Sequence, residues 1–270
     1  MTETRIKRKY VRKNTVTDPI VNEPSMYTIN ERFGFVSQMV MMLASGDQAS
    51  VVLTGPGGLG KSHTVMQSLI QSGYDDISQM DDIELENYPD LKVFKKVSGY
   101  STPKGLYREL YENRHANCVI VFDDIDNILQ NDVSVNLLKA ALDSYSTRII
   151  SWKSNIVDDL PKSFEFKGKV VFISNMSSAR IDQAILSRSL TVDLSMTNME
   201  KVDRMKHLLT QTDFMPEYNM EFKNDAVGLI ESLMDKVRDL SLRTLIQVTK
   251  IRASNPDGNW KNLSQYVMCG

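Results

Sequence analysis

The sequence predicts an α/β fold in which helices cover both faces of a parallel sheet and a small helical lid follows. Short β-branched segments alternate with amphipathic helical patterns up to about residue 196. Two segments, 118–122 and 170–173, are apolar throughout, as expected for strands that a parallel sheet buries on both faces. After residue 196 only helical patterns remain. We therefore expect a three-layer α/β/α base followed by a C-terminal helical lid.

The same changes in pattern divide the chain into regions. Residues 1–25 lack apolar periodicity and contain two X-Pro steps, which favour extended or turn conformations. We expect a basic, flexible N-terminal arm over 1–25, the α/β base over 26–196, the helical lid over 197–254 and a C-terminal tail over 255–270.

Composition excludes several classes of protein. Of the 270 residues, 41% are hydrophobic, which is enough for a packed core and excludes wholesale disorder. The longest apolar run, 39–44, is far shorter than the roughly 20 residues of a membrane span. No signal-peptide pattern follows the charged start, and two cysteines cannot form a disulfide framework. We expect a soluble, intracellular and cytoplasmic protein with no membrane partner.

Charge is unevenly distributed along the chain. Residues 1–24 carry a net charge of +3 in a chain whose total is −2, which leaves −5 for the rest. A basic arm on an acidic body can hold phosphate backbones. Three interpretations stay open: a solvated tail that aids solubility, a nucleic-acid-binding arm, and a segment that docks a partner. The cations concerned are Arg5, Lys7, Arg8, Lys9, Arg12 and Lys13.

In the first half of the chain, apolar periodicity and residues typical of helix ends predict the elements. Gly46 and Gly73 suit positions just past helix ends, and Thr102 before Pro103 suits a helix start. In order, we expect a helix at 32–45, a strand at 51–54, a helix at 62–71, a strand at 91–97 and a helix from about 101 to 113.

The second half continues the alternation and then becomes helical. Thr197 with Glu200 forms a capping-box pattern that opens the first lid helix. In order, we expect a strand at 118–122, a helix at 133–144, short strands of a hairpin-like excursion at 148–152 and 163–166, strands at 170–173 and 190–194, and lid helices at 225–240 and 241–253.

A glycine-rich segment, residues 55–62, lies between the first strand and its helix and matches G-x-x-x-x-G-K-[ST] at every fixed position. We call this segment the phosphate loop. In this context the backbone N–H groups and the helix N-terminus face one anion, which predicts a P-loop NTPase fold and a nucleotide site. Lys61 would reach the β- and γ-phosphates of ATP, and the Ser62 hydroxyl would ligate Mg²⁺. The expected nucleotide-contacting residues are Gly55, Pro56, Gly57, Gly58, Leu59, Gly60, Lys61, Ser62 and His63.

Carboxylates follow the strand at 118–122, which is a Walker B pattern. Because ligands bind at the carboxyl ends of strands in open α/β sheets, we expect Asp123 to face the phosphate loop from the neighbouring strand and to hold Mg²⁺. Asp124 would polarise the attacking water. The simpler interpretation, that an acid caps the next helix, suits Asp126.

With these motifs in place, residues 30–253 resemble an AAA+ ATPase. The resemblance implies that Asn175, which ends the strand after Walker B, is the sensor-1 residue that orients the lytic water. It implies that Arg188 is an arginine finger that reaches the γ-phosphate of a neighbouring subunit, with Arg180 as a weaker candidate. It also implies that Arg243 is the sensor-2 arginine that points from the lid to the nucleotide.

The family pattern is not met everywhere. Most AAA+ proteins have Glu after the magnesium aspartate, whereas this chain has Asp124, which predicts slow hydrolysis. Phe33 or Phe35 could pack on adenine, but core packing is an equal alternative for both. The loop that carries Tyr100 lies where ring-forming members place a pore loop, with Lys95 and Lys96 close by. Trp152 marks a second candidate surface, although packing is its simpler role.

The resemblance implies an ATPase that works as a homo-oligomer, a hexameric or similar ring. The compact organisation resembles AAA+ proteins of viral or mobile-element type, in which we expect Mg-ATP hydrolysis at subunit interfaces to remodel or move a macromolecule in DNA metabolism. The alternatives are a nucleotide-gated DNA-binding loader with slow hydrolysis, in which the basic arm holds nucleic acid, and a protein-remodelling chaperone. A P-loop kinase explains neither Asn175 nor Arg243.

Overall fold

The computed structural model describes residues 25–80, 90–153, 159–211, 214–255 and 258–270. The cations of the expected basic arm therefore lie outside the described residues. Strands are β1 Ser50–Thr54, β2 Asp75–Asp76, β3 Val93–Ser98, β4 Cys118–Asp123, β5 Ile149–Ser151, β6 Ser163–Glu165, β7 Lys169–Ile173 and β8 Leu190–Asp193. Helices are α1 Ile29–Ser45, α2 Lys61–Gln71, α3 Pro103–Glu112, α4 Asp126–Gln130, α5 Asp132–Ala141, α6 Gln183–Leu186, α7 Asn198–Leu209, α8 Met220–Leu233, α9 Leu242–Ser254 and α10 Trp260–Cys269.

The main sheet is parallel, with strand order β2-β3-β4-β7-β1-β8. Strands β5 and β6 form a separate antiparallel pair. The predicted α/β fold class is confirmed, including the helical C-terminal region. One expectation about the sheet was wrong: β4 does not neighbour β1, because β7 pairs with both and lies between them. Asp123, at the end of β4, therefore reaches the phosphate loop across the end of β7 and not from a strand adjacent to β1.

The core has one hydrophobic cluster on each face of the sheet, and β4 shows how the strands divide between them. Val119 and Val121 pack in the cluster that includes α1 and α2. Ile120 and Phe122 pack in the cluster that includes α3, α5 and the β5–β6 pair. Because side chains alternate across a strand, the unbroken apolar run 118–122 of β4 buries both faces of the sheet.

Several element boundaries differ from the sequence expectations for local reasons. Helix α1 begins three residues earlier than expected, at Ile29, because Thr28 and Glu31 form a capping box. The expected helix at 133–144 begins at Asp132, where Asn131 caps it, and the short α4 precedes it. The two-residue β2 was not predicted, since two exposed aspartates carry no strand pattern.

The C-terminal helices share a third hydrophobic cluster. Helix α8 begins at Met220 and ends at Leu233, earlier than the expected 225–240, because Asn219 caps it. The expected tail at 255–270 instead carries α10, whose Trp260 and Met268 are buried in this cluster. The segment is short, and its helical character depends on the burial of these two side chains against the other C-terminal helices.

A buried arginine connects the sheet to the lid. Arg32 on α1 donates from Nη1 to the carbonyl oxygens of Asp193 (3.1 Å) and Ser195 (2.7 Å). Its Nη2 lies 2.6 Å from Glu200 Oε1 on α7. Because a charge-assisted pair of this kind fixes both partners, Arg32 holds the segment between β8 and α7 in place.

Within the part of the chain that the structure describes, no helix combines the length and the apolar character needed to cross a membrane.

The two cysteines differ in their predicted reactivity. Cys118 is buried at the start of β4, and burial raises the pKa of its thiol to about 11, whereas Cys269 is partly exposed at the end of α10. Because the thiolate is the reactive form, we expect a disulfide reagent to modify Cys269 quickly and Cys118 only on unfolding. Thiol titration with and without guanidinium chloride measures this, with Cys269→Ser as control. Equal rates for both thiols in the native protein would contradict the burial of Cys118.

Candidate functional site

The phosphate loop, between β1 and α2, has positive φ angles at three of its glycines. Gly55, Gly58 and Gly60 have φ values of 128°, 73° and 93°, a region that residues with a Cβ rarely adopt. A Cβ on Gly55 would also lie 2.6 Å from the backbone carbon of Leu194. The glycines of the motif are therefore required by backbone conformation and by the close approach of the segment that follows β8.

Lys61 is the buried cation of the site, with a relative exposure of 5%. Its Nζ donates hydrogen bonds to the carbonyl oxygens of Gly55 (2.5 Å) and Pro56 (2.9 Å) and to Asn175 Oδ1 (2.9 Å). Burial lowers the pKa of Lys61, while the carboxylates of Asp124 and its neighbours act in the opposite direction. Position 61 thus places a positive charge at the start of α2, where the helix dipole adds to it.

Two oxygen ligands meet beside this cation. Ser62 Oγ donates to Asp123 Oδ1 at 2.8 Å, although β7 lies between β4, which ends at Asp123, and β1, which precedes the loop. Protein-bound Mg²⁺ uses one or two carboxylates together with substrate phosphates, so this pair fits Mg²⁺ in a nucleotide site. Across the described ranges, no group of three or more His, Cys, Asp or Glu side chains is placed to hold a metal without a substrate.

Asp124 adopts an uncommon conformation at the end of β4. Its φ is 58°, in the left-handed region where Asp is one of the few residues enriched, and its N–H donates to the Ile173 carbonyl at 3.0 Å. Asn175 Nδ2 donates to Asp124 Oδ1 at 2.8 Å. Burial and the charge of Asp123 raise the pKa of Asp124, and Lys61 opposes the rise. Backbone strain of this kind is concentrated at functional sites.

The lid meets the phosphate loop at the start of α9. The Leu242 N–H donates to the Gly58 carbonyl at 2.8 Å. A Cβ on Gly58 would lie 3.0 Å from Ser241 Cβ and 3.8 Å from Arg243 Nη1. The charge of Arg243 also lowers the pKa of Asp124. The structure thus brings the predicted sensor-2 arginine to the same cluster as Lys61, Asp124 and Asn175.

Arg188 is not part of this cluster. It precedes β8 at the amino ends of the strands, where Nη1 donates to the Ala184 carbonyl (3.0 Å) and Nη2 lies 3.8 Å from Asp143 Oδ2. The phosphate loop follows the opposite, carboxyl end of β1. At about 3.3 Å per residue, the length of β1 alone separates the two. Arg180 lies exposed at the end of a 3₁₀ turn, Ser178–Arg180.

Of the four aromatic candidates, three pack against other side chains and one is exposed to solvent. Phe33 is buried in the core, and the Arg204 guanidinium lies 3.8 Å from its ring centroid. Phe35 packs edge-on against Tyr27 with a centroid distance of 4.9 Å. Trp152 packs against a tyrosine of α3, which is its simpler role. Tyr100 is 79% exposed in the loop after β3.

One residue of the predicted pore-loop region instead faces the site. Lys96 Nζ lies 3.7 Å from Asp123 Oδ2, whereas Lys95 forms an ion pair with Glu109 at 3.0 Å. Side-chain alternation along β3 separates the two lysines. The sequence gives no signal for the role of Lys96, because it depends on the pairing of β3 with β4.

A comparison with protein-family models agrees with the fold. A family model described as "ATPase family associated with various cellular activities (AAA)" matches residues 51–194, more than half of the chain. The chain therefore belongs to the AAA family, a family of nucleotide-binding ATPases, and the expected resemblance is confirmed.

Individual relatives include a viral protein. A protein of Enterobacteria phage T4, described as an uncharacterized 36.7 kDa protein in the nrdC-mobD intergenic region, is 29% identical over 253 residues and spans 87% of this chain and 73% of its own length. The FIGL-1 AAA domain in complex with ADP matches 87% of this chain and 74% of its own, at 16% identity and a TM-score of 0.44. C. elegans PCH-2 matches 87% of this chain and 66% of its own, at 13% identity and a TM-score of 0.43.

We expect Lys61→Met to weaken nucleotide binding by about 10- to 100-fold, because a charge-assisted hydrogen bond to phosphate contributes about 1.5–3 kcal/mol. Titration calorimetry with ATP measures the affinity, and thermal unfolding checks that the fold is kept. Lys95→Met is the matched control, since Lys95 pairs with Glu109 away from the loop. Equal ATP affinity in the two variants would show that the loop does not hold the phosphates.

Proposed function

We infer that this protein binds Mg-ATP and hydrolyses it at the subunit interfaces of a homo-oligomer, and that it uses the cycle to remodel or move a macromolecule. One observation carries the inference. The polar groups that bind phosphate and activate water surround Lys61, while Arg188, the candidate for the remaining transition-state cation, lies at the opposite edge of the same sheet. Such a separation suits a site that two subunits complete.

Within one subunit, each residue of the cluster has a task in hydrolysis. Lys61 and Arg243 neutralise charge on the transferred phosphoryl group. Asp124 accepts a proton from the attacking water, and Asn175, already hydrogen-bonded to both Lys61 and Asp124, orients that water. Ser62 and Asp123 would hold Mg²⁺, which supplies further neutralisation of the β- and γ-phosphates.

For Arg188 to reach the nucleotide of a neighbouring subunit, the two subunits must meet head to tail. Arg188 lies at the amino ends of the strands and the phosphate loop at their carboxyl ends. One interface would therefore join the surface around Arg188 of one subunit to the surface around the loop of the next. Heterologous contacts of this kind close into rings when the rotation permits, and a hexameric or similar ring is the assembly we expect. An arginine supplied in trans contributes about 10³- to 10⁵-fold to turnover in other phosphoryl-transfer systems.

The macromolecule is best sought in DNA metabolism of a phage-like or mobile element. The T4 relative is a viral protein whose description states no activity. The basic charge of residues 1–24 suits a phosphate backbone. The exposed Tyr100, in the loop after β3, is a candidate contact for a threaded polymer.

The experiment that tests this function follows ATP hydrolysis against protein concentration. We expect turnover per subunit to rise with concentration, and we expect Arg188→Ala to lower it by about 10³-fold while ATP binding is retained. Arg238→Ala is the control, because Arg238 is an exposed arginine of the C-terminal helical region with no proposed role. A strictly monomeric protein with undiminished turnover would contradict hydrolysis at subunit interfaces.

A second candidate function is a nucleotide-gated DNA-binding loader that hydrolyses ATP slowly. Asp124 favours it, because its carboxylate is one methylene shorter than the glutamate that most AAA+ proteins have. On this hypothesis the short side chain acts as a brake, and the bound nucleotide controls DNA binding by the arm. A protein-remodelling chaperone is the further alternative if DNA changes nothing.

Asp124→Glu separates the motor from the loader. The loader predicts a large gain in turnover, whereas the motor predicts none, because the wild-type residue already matches the left-handed backbone at this position. Steady-state hydrolysis with and without single- and double-stranded DNA measures both, and Asp132→Glu, on the exposed start of α5, is the control. Turnover that is indifferent to DNA in every variant would point to a protein substrate.

A further inference from the structure

A cavity of about 370 Å³ lies between the base and the lid, beside the end of the phosphate loop. Gly60 and His63 line it on the loop side, and Leu208, Leu242 and Ile246 supply apolar side chains from α7 and α9. Its size is within the usual range for small-molecule sites. A nucleotide whose phosphates lie on the loop extends from it by the length of a ribose, so this cavity is where its base would lie.

Arg204 of α7 lines the same cavity and is 7% exposed. Its Nη1 donates to Asn30 Oδ1 at 3.1 Å, and its guanidinium stacks on Phe33. Its Nε is buried without a hydrogen-bond partner, and the same is true of Arg32 Nε, so the two arginines differ in their carboxylate partners and not at Nε. Among the described residues, no carboxylate lies within ion-pair distance of this side chain. Burial alone lowers the pKa of Arg204 to about 10, so the guanidinium stays charged at neutral pH.

The other buried arginine of this region provides a comparison. Arg32 has a carboxylate partner, Glu200, and two carbonyl acceptors. Arg204 has one amide oxygen and one aromatic ring, which hold the guanidinium in place but leave its charge unpaired. A buried charge without a partner is costly, and a ligand that supplies acceptors in the cavity recovers part of that cost.

We propose that Arg204 is the base-recognition residue of the nucleotide site and that it binds a purine through ring-nitrogen acceptors. A guanidinium offers donors and no acceptors, so its ligand must present acceptor atoms. Purine bases do so at their ring edges, and the apolar residues of the lid suit the faces of a flat ring. The proposal rests on the proposed function, since it takes the phosphate loop as the place where the triphosphate binds.

The test measures the part of the affinity that the base contributes. Titration calorimetry compares ATP with ribose 5-triphosphate, which keeps the sugar and phosphates and lacks the base. For the wild-type chain we expect ATP to bind about 10- to 100-fold more tightly. Arg204→Met should remove most of this advantage and leave the affinity for ribose 5-triphosphate unchanged. A purely structural role would lower both affinities together, and that result would overturn the proposal.

Two controls keep the test independent of folding. Arg148→Met removes another arginine that stacks on a phenylalanine, far from the loop, and should retain the full advantage of ATP. On the wild-type chain, 1-deaza-, 3-deaza- and 7-deaza-ATP each lack one ring nitrogen, and at least one should bind about tenfold more weakly. If all three bind like ATP, the proposal fails while the nucleotide site stands. If the wild-type chain binds neither ATP nor ribose 5-triphosphate, the proposed function itself fails.

Discussion

The burial of the Lys61 ammonium is the constraint on which the rest of the site depends. A cation that is 5% exposed needs acceptors around it, and the chain supplies them from two carbonyls of the loop and from Asn175. Meeting this requirement brings the end of β7 against the start of α2. The Asn175 amide then holds Asp124 on its other side. The contact that joins Lys61, Asn175 and Asp124 is thus a consequence of satisfying one buried charge.

Much of the fold could be predicted from local patterns. The apolar runs of β4 and β7 and the glycine-rich segment before Lys61 each have a period or a composition that fixes the element. The extent of α10 and the existence of β2 could not be predicted in this way. Helix α10 depends on packing Trp260 against the other lid helices, and β2 on pairing two exposed aspartates with β3.

The same distinction between local patterns and tertiary packing applies to the candidate site. For residues inside a motif, such as Lys61 and Asp123, the motif predicted that they lie at one site, and the structure brings them together. Lys96 and Arg204 could not, since their positions depend on strand pairing and on how α7 packs against α1. The order of the strands, with β7 between β1 and β4, could not be predicted either, because the sequence of an apolar strand does not indicate which strands pair with it.

The hydrogen bond from the Leu242 amide to the Gly58 carbonyl joins the lid to the phosphate loop through backbone atoms alone. A lid that swings away from the sheet must break this bond, and a lid that keeps it must carry the phosphate loop along. A displacement of α9 would therefore act on the backbone of the phosphate loop directly through this bond. A residue larger than glycine at position 58 would meet Ser241 and a strained φ at once, so it would uncouple the lid as well as distort the loop.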